Sequence, residues 1–266
     1  MYAFTYLRPT TVRQAATLLA KNEDAKLLAG GHTLIPTMKL RLASPSQLID
    51  LSQIEGLSGI ELKGRSIVIG AMTPHSEVAN SPVVKENLPA LAYLAGVIGD
   101  PAVRHRGTIG GSVANNDPTA DYPAACLGLG ATITTSKRRI HADEFFQGMF
   151  QTALEADEII VRISFPLVQK AAYEKFRNQA SRYALVGVFV SKRSSEIRVA
   201  VTGAGGSGVF RVTHFEDALS KRFSPKSLEG LTVPPEGLNG DIHGSAEYRA
   251  HLIGVIARRA VAKATA

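Results

Sequence analysis

Two glycine-rich segments carry the residue types in this chain that are best suited to binding chemistry. They are residues 28–36, with the sequence LAGGHTLIP, and residues 107–112, with the sequence GTIGGS. Small residues let the backbone approach an anion closely, and N–H groups at a turn or a helix start can point at it. The hydroxyls of Thr33, Thr108 and Ser112 add further donors. Two such loops can hold the two phosphates of a dinucleotide from opposite sides, although a tight turn explains either loop alone equally well.

A third glycine run, Gly203–Gly208, matches the GxGxxG pattern of dinucleotide-binding proteins by its letters. It follows a predicted strand, Ile197–Thr202, as that pattern requires. The pattern also needs a helix that opens immediately afterwards, because the helix start binds the diphosphate. Here β-branched and aromatic residues follow, Val209–Val212, and helical spacing begins only near Thr213. The run is therefore predicted to be a flexible connection rather than a nicotinamide site.

Residues for acid–base, nucleophilic or metal chemistry are few. The chain has no HExxH or His-x-His spacing and no GxSxG motif. Cys126 lies in an apolar helical segment, where a small buried thiol is expected. We predict neither a catalytic residue nor a metal ligand, which is the pattern expected where a bound redox cofactor carries the reaction. The histidines nearest to polar segments are His32, His75, His105 and His141.

Two carboxylates lie just after the second glycine segment. Asp117 and Asp121 are four residues apart and share one face of a helix if that helix begins early enough. Asp117 suits a helix N-cap. Asp121 lies beside the glycine segment, where its carboxylate can reach a ligand hydroxyl, so it is a candidate binding residue.

Composition and charge narrow the class of protein. The 266 residues include 30 Lys and Arg against 23 Asp and Glu, a net charge of +7, with 45% hydrophobic and 20% charged residues. This composition excludes an intrinsically disordered chain. The basic residues form one run of three, Lys137–Arg139, and elsewhere no more than pairs such as Arg258-Arg259; there is no Trp, and no basic segment is interleaved with stacking aromatics. The sequence therefore argues against nucleic-acid binding.

The cysteine content and the hydropathy indicate in which cellular compartment the protein is expected. The single cysteine, Cys126, excludes an internal disulfide and an iron–sulfur cluster held by this chain alone. No apolar run approaches the roughly 20 residues that a membrane-spanning helix needs. The first residues, MYAFTYLRP, lack the basic-then-apolar pattern of a signal peptide. We therefore expect a cytoplasmic protein without a membrane span.

Hydrophobic periodicity predicts three α+β regions that must position these residues. The first, residues 1–55, is a β-α-β-type unit. Its elements are a helix over 11–22, a strand over 26–29, a helix over 34–42 with Thr33 as its N-cap, and a strand over 47–51. The second, residues 56–166, has a hairpin over 59–62 and 66–70, a helix over 82–98 interrupted at Leu88-Pro89, a loop over 106–116, a helix over 118–127, and strands over 131–135 and 158–165.

The third region, residues 167–266, is predicted to be a separate unit. Its three antiparallel strands cover 172–177, 185–191 and 197–202. A helix begins near Thr213, and a long C-terminal helix covers 245–263.

Residues 29–41, AGGHTLIPTMKLR, followed by TIGGS at 108–112, resemble the FAD-binding medium subunit of molybdenum hydroxylases. The nearest group is the carbon monoxide dehydrogenase-like flavoproteins, which are related to the flavin domain of xanthine dehydrogenase. The resemblance covers nearly the whole chain, and the paired glycine loops at this separation are specific. The other matching segments, in the family's order, are Ser81–Arg104, Asp121, Glu158–Ile160 and Tyr173–Tyr183.

The resemblance implies an α+β fold in three parts. Residues 1–55 and 56–166 would be the two subdomains of an FAD-binding fold of vanillyl-alcohol-oxidase or PCMH type, and residues 167–266 a C-terminal domain with a three-stranded antiparallel sheet and helices. It also implies non-covalent FAD, with both glycine loops at the diphosphate, although distant relatives attach flavin to a histidine. Three places depart from the family's usual residues without changing the cofactor class: Thr33, usually Ser, Tyr122, more often Leu, and Asn115-Asn116, which is more polar than usual.

The resemblance assigns FAD contacts to both loops and to positions outside them. Asp121 matches the family's acidic contact, and Ile160 matches a main-chain or apolar contact. Lys175 or Arg177 matches the basic contact near the flavin, and Ile98 falls near another contact position. The loop residues are Leu28, Ala29, Gly30, Gly31, His32, Thr33, Leu34 and Ile35 in the first loop, and Thr108, Ile109, Gly110, Gly111 and Ser112 in the second.

Tyr183 is our own candidate for the residue that covers the isoalloxazine ring. A rigid aromatic face suits a flat ligand. A core tyrosine beside the strand over 185–191 is an equally good interpretation, so both stay open.

The function that the resemblance implies is electron transfer within a molybdenum hydroxylase. FAD in this chain would accept electrons from the [2Fe–2S] clusters of a small partner subunit, after a large partner subunit with the molybdenum cofactor has oxidised the substrate. An external acceptor (quinone, NAD or oxygen) would take the electrons, and a dimer of heterotrimers is the expected assembly. The alternatives are a free-standing FAD-dependent oxidoreductase and a non-catalytic nucleotide-binding module.

Overall fold

The computed structural model describes residues 1–266. The first region contains β1 (Thr5–Leu7), α1 (Val12–Ala20), β2 (Ala25–Leu28), α2 (Leu34–Lys39) and β3 (Gln47–Asp50). The strands form a parallel sheet in the order β1-β3-β2, which places the end of β2 and the start of α2 at one edge. β1 was not predicted, because three residues are too few to show an alternating pattern.

The second region combines an antiparallel sheet with short helices. Its hairpin is β4 (Ile60–Lys63) and β5 (Ser66–Gly70), and the predicted helix interruption falls at Leu88. The other elements are α3 (His75–Asn80), α4 (Pro82–Asn87), α5 (Pro89–Gly96), α6 (Pro101–Arg106), α7 (Ile109–Asn115), α8 (Tyr122–Leu129), β6 (Thr132–Thr135), β7 (Arg139–His141), α9 (Ala142–Phe145), β8 (Phe146–Gly148), β9 (Gln151–Thr152) and β10 (Ile160–Pro166). Five strands form the sheet, in the order β4-β5-β10-β6-β7.

The second glycine segment corrects the predicted loop over 106–116, because most of it is helical. The hydroxyl of Thr108 caps α7 by accepting a hydrogen bond from the N–H of Gly111 at 3.1 Å. Gly110 packs so closely on Ala71 that a Cβ atom would lie 2.5 Å from the Cβ of that alanine. Capping and tertiary packing therefore outweigh the low helix propensity of two adjacent glycines.

The third region is built on a four-stranded antiparallel sheet. Its elements are β11 (Lys170–Arg177), β12 (Ala184–Arg193), β13 (Glu196–Thr202), β14 (Phe210–Arg211), α10 (Thr213–Lys221) and α11 (Ala246–Thr265). The three predicted strands are present in the order β11-β12-β13, and the two-residue β14 extends the sheet by one strand. The run Gly203–Gly208 leads into β14 rather than into a helix, as its following residues predict.

Three hydrophobic clusters stabilise the chain, and the largest of them, with 30 buried residues, crosses between the second and third regions. It contains Tyr173 and Phe189 of the C-terminal sheet beside the helices of the second region. Gly128 permits this packing, since a Cβ atom there would lie 2.7 Å from the ring of Phe189. The division into domains at residues 55 and 166 stays a prediction. None of the helices combines the length and the apolar character needed to cross a bilayer.

Candidate functional site

A cavity of about 870 Å³ lies between the two glycine segments and is lined by residues of all three regions. Cavities of roughly 300–1,000 Å³ hold small-molecule and cofactor ligands in proteins. The fold therefore collects most of the predicted binding residues around one space. Those that line it are Ala29, Gly30, Gly31, His32, Thr33, Leu34, Ile98, Thr108, Gly110, Gly111, Ser112, Asp121, Ile160 and Tyr183.

The two glycine segments touch each other at Gly30. A Cβ atom at this position would overlap the carbonyl oxygen of Arg106 and lie 2.8 Å from the Cα of Gly107. A Cβ atom at Gly111 would lie 3.7 Å from the Cβ of Ala29. Glycine at position 30 thus permits a backbone approach that any side chain would prevent. Two segments that are far apart in the sequence therefore form one continuous wall of the cavity.

The first loop presents a run of unused backbone donors. The N–H groups of residues 29–34 make no hydrogen bond, and Ile35 is the first to donate, to the carbonyl of Gly31 at 3.0 Å. Gly31 has a φ of +74°, which glycine adopts without strain. Successive N–H groups at such a turn can converge on one anion. The first loop therefore offers the free donors on which a phosphate site depends.

The second loop differs from the expectation that its N–H groups are free. The N–H groups of Ile109–Ser112 donate to the carbonyls of Thr73, Ala71 and Thr108 and to the hydroxyl of Thr108, over 2.8 to 3.1 Å. These bonds fasten α7 to the segment that follows β5. Only the N–H of Thr108 makes no hydrogen bond. The second loop therefore contributes a close backbone wall and the free hydroxyl of Ser112, rather than a row of amide donors.

A buried ion pair lies at the cavity wall. Asp121 is 4% exposed, and its carboxylate accepts hydrogen bonds from Nζ of Lys175 at 2.9 Å and from the hydroxyl of Tyr173. Lys175 also donates to the carbonyl of Val97 at 3.1 Å. Burial raises the pKa of the Asp121 carboxyl above its ordinary value, while the charge of Lys175 and the hydrogen bonds from both neighbours oppose the rise. Two donors on β11 thus hold this carboxylate in a single orientation.

Some predicted residues support the cavity instead of lining it. Lys175 lies behind Asp121, and Ile109 is fully buried beneath the second loop. Arg177 is exposed at the end of β11, outside the cavity lining, and makes no ion pair. The predicted residues outside the lining are Leu28, Ile35, Ile109, Lys175 and Arg177.

Two aromatic side chains lie at the opening of the cavity. Tyr183 is 51% exposed and lines it, so the alternative interpretation as a core tyrosine is wrong. Phe150 lines it as well, is 56% exposed, and has a φ of +55° that is unusual for a bulky residue. Sequence reasoning missed Phe150, because the segment between two very short strands carries no periodic pattern.

His75 is a second lining residue that was not assigned to the site. It is 4% exposed, and its Nδ1 is buried without a hydrogen-bond partner. Burial, reinforced by the charges of His32 and Arg104, lowers the pKa of His75 to about 4. His75 is therefore neutral at physiological pH, and protonating it in the folded chain is unfavourable.

The low pKa of His75 predicts an acid-sensitive stability for the chain without a bound ligand. In the unfolded chain the imidazole binds a proton near pH 6.5, whereas in the folded chain it does so near pH 4. Stability is therefore complete above pH 6.5 and falls between pH 6.5 and 4, by up to about 3 kcal/mol from this group. Urea unfolding at several pH values should show that His75→Gln removes this part of the slope. An unchanged slope in His75→Gln would contradict the assignment.

The chain is an α+β protein in which two glycine segments enclose a cavity of cofactor size. Residues 2–168 match the family described as the FAD binding domain in molybdopterin dehydrogenase. The chain is 37% identical to the carbon monoxide dehydrogenase medium chain of Hydrogenophaga pseudoflava, covering 97% of this chain and 96% of that protein. It is 37% identical to the nicotine 6-hydroxylase medium subunit of Paenarthrobacter nicotinovorans, covering 99% and 98%.

A solved structure agrees with these sequence matches. The fold superposes on carbon monoxide dehydrogenase from Hydrogenophaga pseudoflava, in a form that lacks the Mo-pyranopterin moiety of the molybdenum cofactor. The TM-score is 0.88 at 35% identity, with 99% of this chain and 98% of that chain covered. The chain belongs to the family of FAD-binding medium subunits of molybdenum hydroxylases. It is therefore an oxidoreductase component, as the resemblance of its glycine loops indicated.

Proposed function

We propose that this chain binds FAD in the cavity between its two glycine loops and serves as the electron-exit subunit of a molybdenum hydroxylase. The observation that carries the proposal is the run of six unpaired N–H groups over residues 29–34, held against the second loop through Gly30. Such donors suit a diphosphate, because they satisfy its charge without a lysine. The family supplies the identity of the nucleotide.

The residues around the cavity fit the parts of FAD by their chemistry. The first loop and the hydroxyls of Thr33 and Ser112 offer donors for the diphosphate. The carboxylate of Asp121 offers an acceptor for ligand hydroxyls, and Ile160 offers main-chain and apolar contact. Tyr183 offers an aromatic face at the opening, where it would cover the isoalloxazine ring. Ile98, Ala29, His32 and Leu34 complete the contacts that we assign to FAD.

Bound FAD supplies storage for two electrons that arrive singly and can leave singly or as a pair. The chain itself contributes binding and orientation, and this agrees with its lack of a metal-ligand motif and of a nucleophile motif. Its one cysteine, Cys126, is fully buried, so it holds no iron–sulfur cluster. The clusters and the molybdenum cofactor would therefore lie in partner chains.

The proposed assembly contains a large subunit with the molybdenum cofactor and a small subunit with [2Fe–2S] clusters, arranged as a dimer of heterotrimers. The relatives are named as medium chains or subunits, which supports partners of both kinds. Carbon monoxide and nicotine are named for those relatives and differ from each other, so no substrate is assigned to this chain. A free buried thiol suits a reducing compartment, which supports a cytoplasmic location.

Titration of the FAD-free chain with FAD tests the proposal. We expect a visible flavin spectrum, a dissociation constant at or below the micromolar range, and reduction of the bound flavin by the reduced iron–sulfur subunit. A folded chain that binds ADP but stays colourless with FAD would instead be a nucleotide-binding module. Turnover of a small substrate by the chain without partners would favour a free-standing oxidoreductase.

A further inference from the structure

The second loop borders the cavity without amide donors of its own beyond Thr108. A diphosphate gripped only by the first loop would face a wall whose N–H groups over residues 109–112 are already bonded. Apart from the hydroxyl of Ser112, any further donor on this side must therefore come from another element. One polar side chain of another element, that of His75, packs against the second loop and also lines the cavity.

His75 is tied to the second loop by its backbone and by its ring. Its N–H donates to the carbonyl of Gly107 at 2.9 Å. A Cβ atom at Gly107 would lie 2.6 Å from Nε2 of His75, so the ring packs directly on this glycine. Gly107 in turn packs on Gly30 of the first loop. The imidazole therefore lies at the point where the two loops meet.

The two ring nitrogens of His75 have different surroundings. Neither nitrogen makes a hydrogen bond. Nδ1 is fully buried, whereas Nε2 retains some accessible surface. The ring of Tyr122 lies 5.3 Å from the His75 ring, and its buried hydroxyl is also unpartnered. No acceptor lies within hydrogen-bond distance of the buried Nδ1, so a proton there would be an unsatisfied buried donor, and the tautomer that carries its proton on Nε2 is favoured. The open nitrogen is then a neutral N–H donor toward the cavity.

We propose that His75 is a cofactor-binding residue whose Nε2–H donates a hydrogen bond to the diphosphate of FAD from beneath the second loop. This inference rests on the proposed function, because it assumes that the cavity holds a diphosphate. His75 would supply a donor in place of the N–H groups of residues 109–112, which are already hydrogen-bonded within the protein. The low pKa of His75 in the FAD-free chain agrees with a neutral donor rather than a charged one.

Binding of FAD and of ADP to the full-length, FAD-free chain tests the inference. His75→Leu removes the donor at similar size and should weaken both ligands by the same factor, about 10- to 100-fold, as for a hydrogen bond to a charged group. His75→Gln retains an N–H donor and should bind both within about 3-fold of the natural chain. His105→Leu, at an exposed position on α6 outside the cavity lining, should bind both ligands normally.

Each outcome has a separate meaning. Failure of the natural chain to bind FAD would overturn the proposed function, whereas normal binding by folded His75→Leu would overturn only the role of His75. A loss with FAD but not with ADP would place the contact away from the diphosphate and would also overturn it. If His75→Leu does not fold, the ring ¹⁵N signals of the natural chain decide, since the Nε2 signal of His75 should shift when ADP is added and an unmoved signal contradicts the inference.

Discussion

Replacing Gly30 with alanine should weaken FAD binding by about two orders of magnitude while leaving the chain folded. The added methyl group would meet the carbonyl carbon of Arg106 at 2.7 Å and the Cα of Gly107 at 2.8 Å. Both are backbone atoms that cannot rotate away, so the loops must separate. Loss of two hydrogen bonds to a charged ligand, each about 1.5 kcal/mol or more, corresponds to about a 100-fold loss of affinity. Flavin fluorescence titration of the FAD-free chain measures it.

The stability of Gly30→Ala provides the first check on this prediction. Overpacking of this kind costs about 1–3 kcal/mol, which is less than the free energy of unfolding of most domains. The matched control is Gly240→Ala, because a Cβ atom there meets only the N of Ala246 at an ordinary 3.7 Å. The control should bind FAD normally. A folded Gly30→Ala chain with normal affinity would show that the contact between the loops is not needed for FAD.

Replacing Lys175 with methionine should cost about 3–5 kcal/mol of stability, the usual effect of removing one partner of a buried ion pair. The side chains of Lys175 and Asp121 are each 4% exposed. The substitution leaves the Asp121 carboxylate with only the Tyr173 hydroxyl, and it leaves the Val97 carbonyl without this donor. For a chain of this size the melting temperature should fall by about 10 °C. The FAD-free chain is the one to measure, because a ligand that binds the folded state masks the loss.

Two further variants distinguish loss of the buried ion pair from a nonspecific loss of stability. Asp121→Asn combined with Lys175→Met should recover part of the stability, since the uncompensated buried charge is gone. Arg193→Met breaks the pair with Glu196, in which the Arg193 side chain is 45% exposed, and should cost less than about 1 kcal/mol. A loss below about 1 kcal/mol for Lys175→Met would mean that the pair behaves like that exposed one.

The positions of the main helices and strands follow from local patterns. The valine-rich apolar runs over 185–191 and 197–202 predicted β12 and β13, and the proline at position 89 predicted the break between α4 and α5. These features depend on residues within one or two turns of each other, so they are readable without the fold. Elements of two or three residues, such as β1 and β14, escape such reading, because their pairing partners are what define them.

The candidate site also combines features that the local sequence determines with features that depend on the fold. The free donors of the first loop arise locally, from a strand that ends at two glycines before a helix starts. The hydrogen bonds that occupy the N–H groups of the second loop are not local. Ile109 and Gly110 donate to the carbonyls of Thr73 and Ala71, which belong to the segment after β5. The buried pair of Asp121 and Lys175 likewise joins residues of different regions.

The glycine segments predicted a site for a dinucleotide in an α+β chain, and the resemblance of their motifs indicated the family that the comparisons confirm. Only the folded chain revealed that Gly30 touches Gly107, that His75 and Phe150 border the cavity, and that Lys175 acts behind Asp121. The reason is physical. Propensity and turn chemistry act between near neighbours in the chain, whereas burial, pKa shifts and the supply of hydrogen-bond acceptors depend on whichever distant segments the packing brings alongside.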